Sequence, residues 1–252
     1  MRCSRIRQNS EPDHDSFKPV RSIDDSLSSG VVLMASNAVV AGSLNQVLDE
    51  LGGIEAHRVR REPAPGGATM ADLLKANDQG ATCELVDATL VEKAMGWSES
   101  LIAAVLIEIL GGFARKNNLG LVSGSDGFVE ILPSLVRGPD VSFVSWDRLP
   151  DHQVPNVAVP RIVPDLAVEV LSVGNTFMEM SRKRQEYFHA GVRLVWMVDP
   201  RERSVAVYTT VNDYVILDES QTLNGHNVLP GLEIRLADVF GELDRRPPSS
   251  GS

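Results

Sequence analysis

The segment VPDLAVEVLSVGN, residues 163–175, decides how this 252-residue chain folds. Its apolar run predicts a strand over residues 166–171, because a short apolar run bounded by turn residues is typical of a buried strand. A charged amphipathic helix is predicted over residues 177–190, and a second strand over residues 192–198. Together these elements make one strand–helix–strand unit.

Both ends of the predicted helix carry a recognisable signal. Thr176 is followed three residues later by Glu179, which is the pattern of a capping box at a helix N-terminus. Gly191 follows the last helical residue, and glycine commonly ends a helix because it adopts the left-handed conformation. These signals place the helix directly after the first strand.

Shorter patterns on either side of this unit predict a mixed α/β domain. Helices are predicted over residues 70–76, with Leu73 and Leu74 facing inward, and over residues 98–117, with Ser98 as the N-cap. Strands are predicted over residues 83–92 (a hairpin turning at Asp87-Ala88), 121–123, 127–132, 140–145, 204–209 and 214–217.

The predicted domain organisation has three parts. Residues 1–67 differ from the rest of the chain. Residues 1–30 are rich in Ser, Asp, Arg and Pro, a composition that buries too little apolar surface to offset the entropy of ordering, and residues 58–67 have the composition of a linker. Together they predict a disordered N-terminal extension with one short helix over residues 43–51; a translation start further along the chain is an alternative explanation. The folded domain is predicted over residues 68–241, followed by a disordered tail over residues 242–252.

Charge and cysteine content narrow the classes of function. The formal net charge of −10 and the pI of about 5.0 disfavour a protein that holds nucleic acid on a broad basic surface. They do not exclude a metal-dependent enzyme, whose ions offset acidic ligands and phosphate. The two cysteines, Cys3 and Cys83, lack metal-ligand spacing and favour a reducing compartment. Charged residues interrupt the apolar runs before they reach the ~20 residues that a membrane span needs. We therefore expect a cytoplasmic protein with no membrane partner.

Two acids lie in or beside predicted strands. Alternation places Glu169 on one strand face with Ala167 and Leu171, so this carboxylate has apolar neighbours. Asp140 follows Pro139 at the start of its own strand. A buried, unpaired carboxylate is costly, so if the two strands are neighbours a divalent cation would resolve the repulsion between the acids. Ligation by oxygen alone favours Mg²⁺ or Mn²⁺.

Lys183 lies about two turns into the predicted helix. From there its ammonium could reach the carboxylates and orient a water, or stabilise charge that develops on a phosphate. The residues alone leave other readings open: Asp140 could simply begin a strand, and Glu169 could pair with an arginine. Lys183 could also form an ordinary i,i+4 pair with Glu179 on a solvated helix face.

From about residue 71 to residue 240 the chain resembles the Uma2 family of restriction-endonuclease-like proteins, within the PD-(D/E)XK nuclease superfamily. Four segments carry the resemblance in the right order: CELVD (83–87), RGPDVSFV (137–144), VPDLAVEVLS (163–172) and residues 183–200. The resemblance implies a restriction-endonuclease-like core, in which a mixed β-sheet is flanked by helices.

The resemblance also implies roles for individual residues. Asp140 and Glu169 would be catalytic acids that hold Mg²⁺ or Mn²⁺, with the carbonyl of Val170 as a further metal ligand. The lysine of the motif would fall at Leu171, so the chain departs from the pattern there. In this family the lysine is shifted to the following helix, which points to Lys183 as the third catalytic residue.

The implied activity is metal-dependent hydrolysis of DNA phosphodiester bonds by an endonuclease, and a homodimer could cut both strands. Residues 98–100 depart from the family, because many relatives carry a histidine near this helix start. The alternative is therefore a catalytically impaired module that binds nucleic acid or a protein. A purely structural oligomerising domain would not explain Glu169. Glu84, in the early hairpin, either supports the site or is an ordinary acid at a strand edge.

Overall fold

A computed structural model describes residues 43–247 of the chain. Over this range it contains five α-helices: α1 (Leu44–Glu50), α2 (Met70–Asp78), α3 (Trp97–Lys116), α4 (Phe177–Ala190) and α5 (Leu236–Phe240). It also contains twelve strands: β1 (Cys83–Val86), β2 (Thr89–Glu92), β3 (Gly120–Gly124), β4 (Val129–Leu132), β5 (Leu135–Arg137), β6 (Val141–Ser145), β7 (Leu166–Val170), β8 (Leu194–Asp199), β9 (Ser204–Tyr208), β10 (Tyr214–Asp218), β11 (Thr222–Gly225) and β12 (Leu229–Arg235). The strands form sheets of six, four and two members, which agrees with the predicted mixed class.

The six-stranded sheet has the order β10-β9-β8-β7-β6-β3. β7 and β8 are parallel and are joined by α4, so the predicted strand–helix–strand unit is confirmed. The capping box of Thr176 and Glu179 and the left-handed Gly191 are both present at the ends of α4. The other neighbouring pairs in this sheet are antiparallel. The parallel pair needs a long crossover, which the helix supplies.

The register between β6 and β7 sets the position of the two predicted acids. Val141 of β6 pairs with Val168 of β7 in an antiparallel ladder. Asp140 precedes β6 by one residue and Glu169 follows Val168 by one residue, so continuing the register places the two acids opposite each other. The condition that the two strands be neighbours is therefore met.

The two faces of β7 pack against different helices. Val168 and Val170 belong to the largest core cluster together with the apolar stripe of α3. Ala167 packs instead with Tyr187 of α4. Because side chains alternate along a strand, Glu169 shares the face of Ala167 and is directed at α4. The predicted assignment of these residues to two faces is confirmed.

The four-stranded sheet has the order β2-β1-β5-β4. β1 and β2 form the predicted hairpin, which turns at Asp87 (φ 47°) and Ala88 (φ 51°). Two left-handed residues in succession are what a tight two-residue hairpin turn requires. This sheet supplies Glu84 from β1 and Arg137 from β5, and both residues are buried.

Some local predictions are wrong. α3 begins at Trp97 with Gly96 as its N-cap, so Ser98 lies inside the first turn and is not the cap. Leu74 is 39% exposed, whereas Leu73 is buried, because only one of two successive helical residues can face the core here. β5, β11 and β12 have no counterpart among the predicted strands: β5 and β11 are runs of three or four residues with little periodic signal, and β12 contains a proline and a glycine, which are atypical of strands.

Residues 43–67 pack onto the domain, where composition predicts a disordered extension. The predicted short helix is present as α1. Behind it, Leu51, Ile54 and Val59 are buried against the β1–β2 hairpin. A few well-spaced apolar residues thus anchor a segment whose average composition is polar. Residues 1–42 and 248–252 lie outside the described residues, and the predictions of disorder for them stay predictions.

By length and composition alone, α3 meets the criterion for a membrane-spanning helix, contrary to the expectation from the sequence. In the structure its residues Ile102, Leu106 and Leu110 are buried in the largest core cluster. The same cluster contains residues of strands β6 to β9. This packing accounts for the apolar character of the buried face of α3.

Candidate active site

Asp140 and Glu169 lie together where β6 meets β7, and each is only 3% exposed. The backbone amide of Val170 donates a hydrogen bond of 2.8 Å to Asp140 Oδ2. The Asp140 side chain therefore reaches across to the strand that carries Glu169. The structure brings the two predicted acids to one buried place.

Lys183 reaches the same place from α4. Its Nζ lies 3.1 Å from Glu169 Oε2 and 3.2 Å from Glu84 Oε1. The Lys183 side chain is buried, so the alternative of a solvated helix face is wrong. Its alternative partner, Glu179, is instead hydrogen-bonded by Arg58 at 2.7 and 2.9 Å.

Glu84 belongs to the cluster and is not an ordinary edge acid. It accepts hydrogen bonds from Arg137 Nη1 at 2.7 Å and from the Gly138 amide at 3.1 Å, in addition to the contact with Lys183. Arg137 also binds Glu186 of α4, through Nε at 2.9 Å and through Nη2. Glu84 and Arg137 thereby join the hairpin, β5 and α4 around the two acids.

Lys93 is a member of the cluster that the sequence analysis did not identify. It follows β2, its side chain is 4% exposed, and its Nζ lies 2.9 Å from Asp140 Oδ1. The ammonium also donates hydrogen bonds to the carbonyls of Gly138 and, at 3.4 Å, Ser125. A single lysine after a hairpin strand has no pattern that marks it. Its partner lies 47 residues further along the chain, so no local window reveals the pair.

Tyr187, one turn beyond Lys183 on α4, is the other group on Glu169. Its hydroxyl donates a short hydrogen bond to Glu169 Oε1. Tyr187 is fully buried. The Tyr187 hydroxyl and the Lys183 ammonium both donate to Glu169 Oε1, and Lys183 also donates to Oε2. These hydrogen bonds restrain the orientation of the carboxylate.

The electrostatic environment sets Glu169 apart from an ordinary carboxylate. Burial raises the pKa of Glu169, and the neighbouring Asp140 and Glu84 carboxylates raise it further. Lys183 and Lys93 act in the opposite direction but do not cancel the effect. Glu169 therefore takes up a proton at a higher pH than an exposed glutamate does.

The pKa values of Glu84 and Lys183 are shifted in the directions that favour the charged forms. Burial alone would raise the pKa of Glu84, but Lys183, Arg137 and Lys93 together lower it to about 2. Burial would likewise lower the pKa of Lys183, but Glu169 and Glu84 raise it above its ordinary value. Lys183 is therefore an ammonium at neutral pH, able to donate hydrogen bonds and unable to act as a base.

Two features bear on whether these residues suit a divalent cation. Asp140 Oδ1 is buried and accepts no hydrogen bond from the described residues, since the approach of Lys93 Nζ is a charge contact without hydrogen-bond alignment. Within residues 43–247 no three His, Cys, Asp or Glu side chains cluster in a metal-holding arrangement. A cation here would rest on two carboxylates, a backbone carbonyl and water, a hard oxygen set that suits Mg²⁺ or Mn²⁺. The residues present fit such an ion.

The remaining predicted positions are also located. Leu171, at the usual position of the motif lysine, is half-buried and lines a cavity of about 310 Å³ between α4 and strands β8–β10. Lys93 and Arg60 line a second cavity of about 480 Å³ beside the hairpin. Glu108 on α3 is exposed. Lys93 thus belongs both to the buried cluster and to the lining of the second cavity.

Comparisons with known proteins identify the family of the chain and a shared fold. The sequence profile of the Uma2 family, described as "Putative restriction endonuclease", matches residues 70–237. No curated protein matches the chain. A solved structure, titled as a putative nuclease belonging to DUF820 from Anabaena variabilis, superposes with a TM-score of 0.61 at 19% identity. The match covers 69% of this chain and 98% of that one, and it shows a shared fold.

The family match covers all the clustered residues, from Glu84 to Tyr187. The predicted restriction-endonuclease-like core is confirmed by the shared fold, and the family description supports a nuclease function in general, with nucleic acid as the substrate class. The chain belongs to the Uma2 family.

Proposed function

We propose that this protein is a metal-dependent endonuclease that hydrolyses DNA phosphodiester bonds. The observation that carries the proposal is the meeting of Asp140, Glu169 and Lys183, from three separate elements, at one buried place. A buried cluster of ionisable groups with shifted pKa values is costly to maintain and is typical of functional sites. The family description supports the same class of reaction.

Asp140, Glu169 and the Val170 carbonyl are the groups that would hold Mg²⁺ or Mn²⁺. When bound, such an ion would neutralise charge on the scissile phosphate and lower the pKa of an attacking water. The buried Oδ1 of Asp140, which lacks an aligned hydrogen bond, supports this assignment. The hydrogen bonds from Tyr187 and Lys183 orient the Glu169 carboxylate.

Lys183 would act as a fixed positive charge. In the hydrolysis, a water oxygen forms a bond to phosphorus while the bond to the departing sugar oxygen breaks, and negative charge builds up on the phosphate. An ammonium held between Glu169 and Glu84 can stabilise that charge or donate a hydrogen bond to the water. The raised pKa of Lys183 excludes it as the base that removes the proton of the water.

The charge balance of the cluster couples the binding of metal to the binding of DNA. Among the cluster side chains that are at most 5% exposed, Glu84, Asp140 and Glu169 contribute three negative charges, and Lys93, Arg137 and Lys183 contribute three positive charges. The second partner of Arg137, Glu186, is 14% exposed and is left out of this count. A divalent cation would give this neutral cluster a charge of about +2, which is unfavourable in a buried site. An incoming phosphate offsets part of that charge. We therefore expect metal and DNA to strengthen each other's binding.

The test is cleavage of supercoiled plasmid DNA over a Mg²⁺ titration, with three variants that remove one charge each: Asp140→Asn, Glu169→Gln and Lys183→Met. We expect the rate to fall by a factor of about 100 or more in each, the usual effect of losing a transition-state contact. Glu108→Gln, an exposed acid on α3, is the matched control and should cleave at the wild-type rate. Wild-type rates in Glu169→Gln would overturn the proposal.

The alternative is a module of the same fold that binds nucleic acid or a protein without cutting. One observation favours it: the site acids are almost fully buried. The resemblance to the family points the same way, because it implies a histidine near the start of α3 in many relatives, where this chain has Ser98, Glu99 and Ser100. In that case the wild type would bind DNA at any Mg²⁺ concentration and leave the plasmid intact. The same plasmid assay, paired with a DNA-binding measurement, separates the two functions.

A further inference from the structure

Lys93 is placed like a bound cation. Its Nζ lies 2.9 Å from Asp140 Oδ1, the carboxylate oxygen that accepts no hydrogen bond from the described residues. Asp140 Oδ2, in contrast, is bonded to the Val170 amide. The free side of the Asp140 carboxylate, where a metal ion would be held, is thus covered by a positive charge of the protein itself.

Lys183 binds other carboxylates of the cluster than Lys93 does. Its Nζ contacts Glu169 and Glu84, and neither contact involves Asp140. The two buried lysines therefore neutralise different carboxylates. Lys93 stands between an incoming cation and Asp140, whereas Lys183 braces Glu169 from the side of α4.

We propose that Lys93 is a built-in competitor for the metal: its ammonium must withdraw from Asp140 Oδ1 before a divalent cation binds there. The inference rests on the proposed metal site at Asp140 and Glu169. Two positive charges cannot share one carboxylate oxygen in a buried site without strong repulsion. Lys93 thereby sets the affinity of the site for metal and keeps the cluster neutral until substrate arrives.

The surroundings of Lys93 allow this withdrawal. The ammonium also bonds the carbonyls of Gly138 and Ser125, so it retains acceptors after leaving Asp140. Lys93 is also one of the residues that line the cavity of about 480 Å³ beside the hairpin.

The test is calorimetric titration of Mg²⁺ and Mn²⁺ into the full chain, without DNA. Removing the charge of Lys93, in Lys93→Met and Lys93→Gln, should tighten metal binding by about tenfold or more, as expected when a competing cation is lost. Lys93→Arg keeps the charge and should stay within about threefold of wild type. Lys75→Met removes an exposed lysine on α2 and should change nothing, which controls for net charge.

The outcomes separate this inference from the proposed function. If wild type binds metal and Glu169→Gln does not, but both neutral Lys93 variants bind as wild type does, the competitor role is wrong and the metal site stands. If wild type and Glu169→Gln bind metal equally or not at all, the proposed metal site itself fails, and the competitor role fails with it.

A second measurement covers the case in which the neutral variants do not fold. The buried Lys93 ammonium of the wild type should give a slowly exchanging ¹H–¹⁵N resonance, identified by its loss in Lys93→Arg. Saturating Mg²⁺ should shift this resonance strongly, while the Lys183 resonance moves less. A Lys93 resonance that stays in place at saturating metal would contradict the proposal.

Discussion

Arg58 and Glu179 form a buried ion pair with two hydrogen bonds, Nη2 to Oε1 at 2.7 Å and Nη1 to Oε2 at 2.9 Å. The pair joins residues that are 121 positions apart in the chain. Arg58 Nε also donates to the carbonyl of Glu92, directly before Lys93, and Nη1 to that of Gly174. Residues 43–67, which precede the region matched by the family, are thereby fastened to the element that carries Lys183.

Breaking this pair should destabilise the domain. Arg58→Met leaves Glu179 as a buried charge without its main partner, and losses of this kind are about 3–5 kcal/mol. Urea unfolding of Arg58→Met against wild type measures the effect. The exposed pair of Arg235 with Asp238 supplies the control, because Arg235→Met should cost less than about 1 kcal/mol. Equal midpoints for Arg58→Met and wild type would show that residues 43–67 do not brace α4.

Gly52 provides an independent test of the same attachment. Its φ is +94°, and a Cβ atom on it would lie 2.5 Å from the backbone nitrogen of Glu179. Gly52→Ala combines backbone strain with a clash against α4, and we expect a loss of about 1–3 kcal/mol. Gly53 has a φ of +70°, and no atom lies within 4 Å of a Cβ atom placed on it. Gly53→Ala should therefore introduce backbone strain without a clash, and its loss of stability should be smaller than that of Gly52→Ala. A larger effect at Gly53 would contradict the packing described.

The hydroxyl of Tyr187 should lower the pKa of Glu169. A hydrogen bond donated to a carboxylate favours its ionised form, so Tyr187→Phe should raise that pKa further above the ordinary value. Protonation removes a metal ligand, and metal affinity should therefore decline at a higher pH in the variant than in wild type. Calorimetry with Mn²⁺ between pH 5 and 8 measures this shift. Tyr214→Phe, on the exposed strand β10, should leave the pH profile where it is.

Acid stability should depend on Glu84. Its pKa is lowered from 4.5 to about 2 in the folded protein. Between these two pH values the unfolded chain therefore binds more protons at Glu84 than the folded protein does. The stability contributed by ionised Glu84 is present above pH 4.5 and is lost as pH falls toward 2, by about 3 kcal/mol in all. Glu84→Gln should be less stable at pH 7 and lose less stability on acidification. Urea unfolding at several pH values measures this dependence. If the free energy of unfolding of Glu84→Gln fell between pH 5 and 3 as steeply as that of the wild type, the lowered pKa of Glu84 would be contradicted.

The strand–helix–strand unit could be predicted because its signals are local. The apolar run ending at Leu171, the capping box at Thr176 and Gly191 each act within a few residues, and the structure contains all three features. The meeting of Asp140 and Glu169 could be predicted only on the condition that β6 and β7 are neighbours. That condition is a property of sheet order, which no short window of sequence contains.

The rest of the cluster depends on contacts between distant parts of the chain. Lys93, Arg137 and Arg58 are single basic residues without a periodic pattern, and each finds its acid only after the sheets are formed. Apart from the short helix over residues 43–51, residues 43–67 belong to the predicted disordered extension, because an average composition does not reveal a few anchoring apolar residues. Hydrophobic periodicity reveals a core face, but it carries no information about which buried charges will pair.

The most direct test of the central claim is anomalous diffraction from crystals soaked in Mn²⁺. We predict one strong anomalous peak between the carboxylates of Asp140 and Glu169, with the Lys93 ammonium moved away from Asp140 Oδ1. Soaked crystals of Glu169→Gln should lack that peak. A wild-type map without an anomalous peak at this place, and with Lys93 still 2.9 Å from Asp140 Oδ1, would contradict the account.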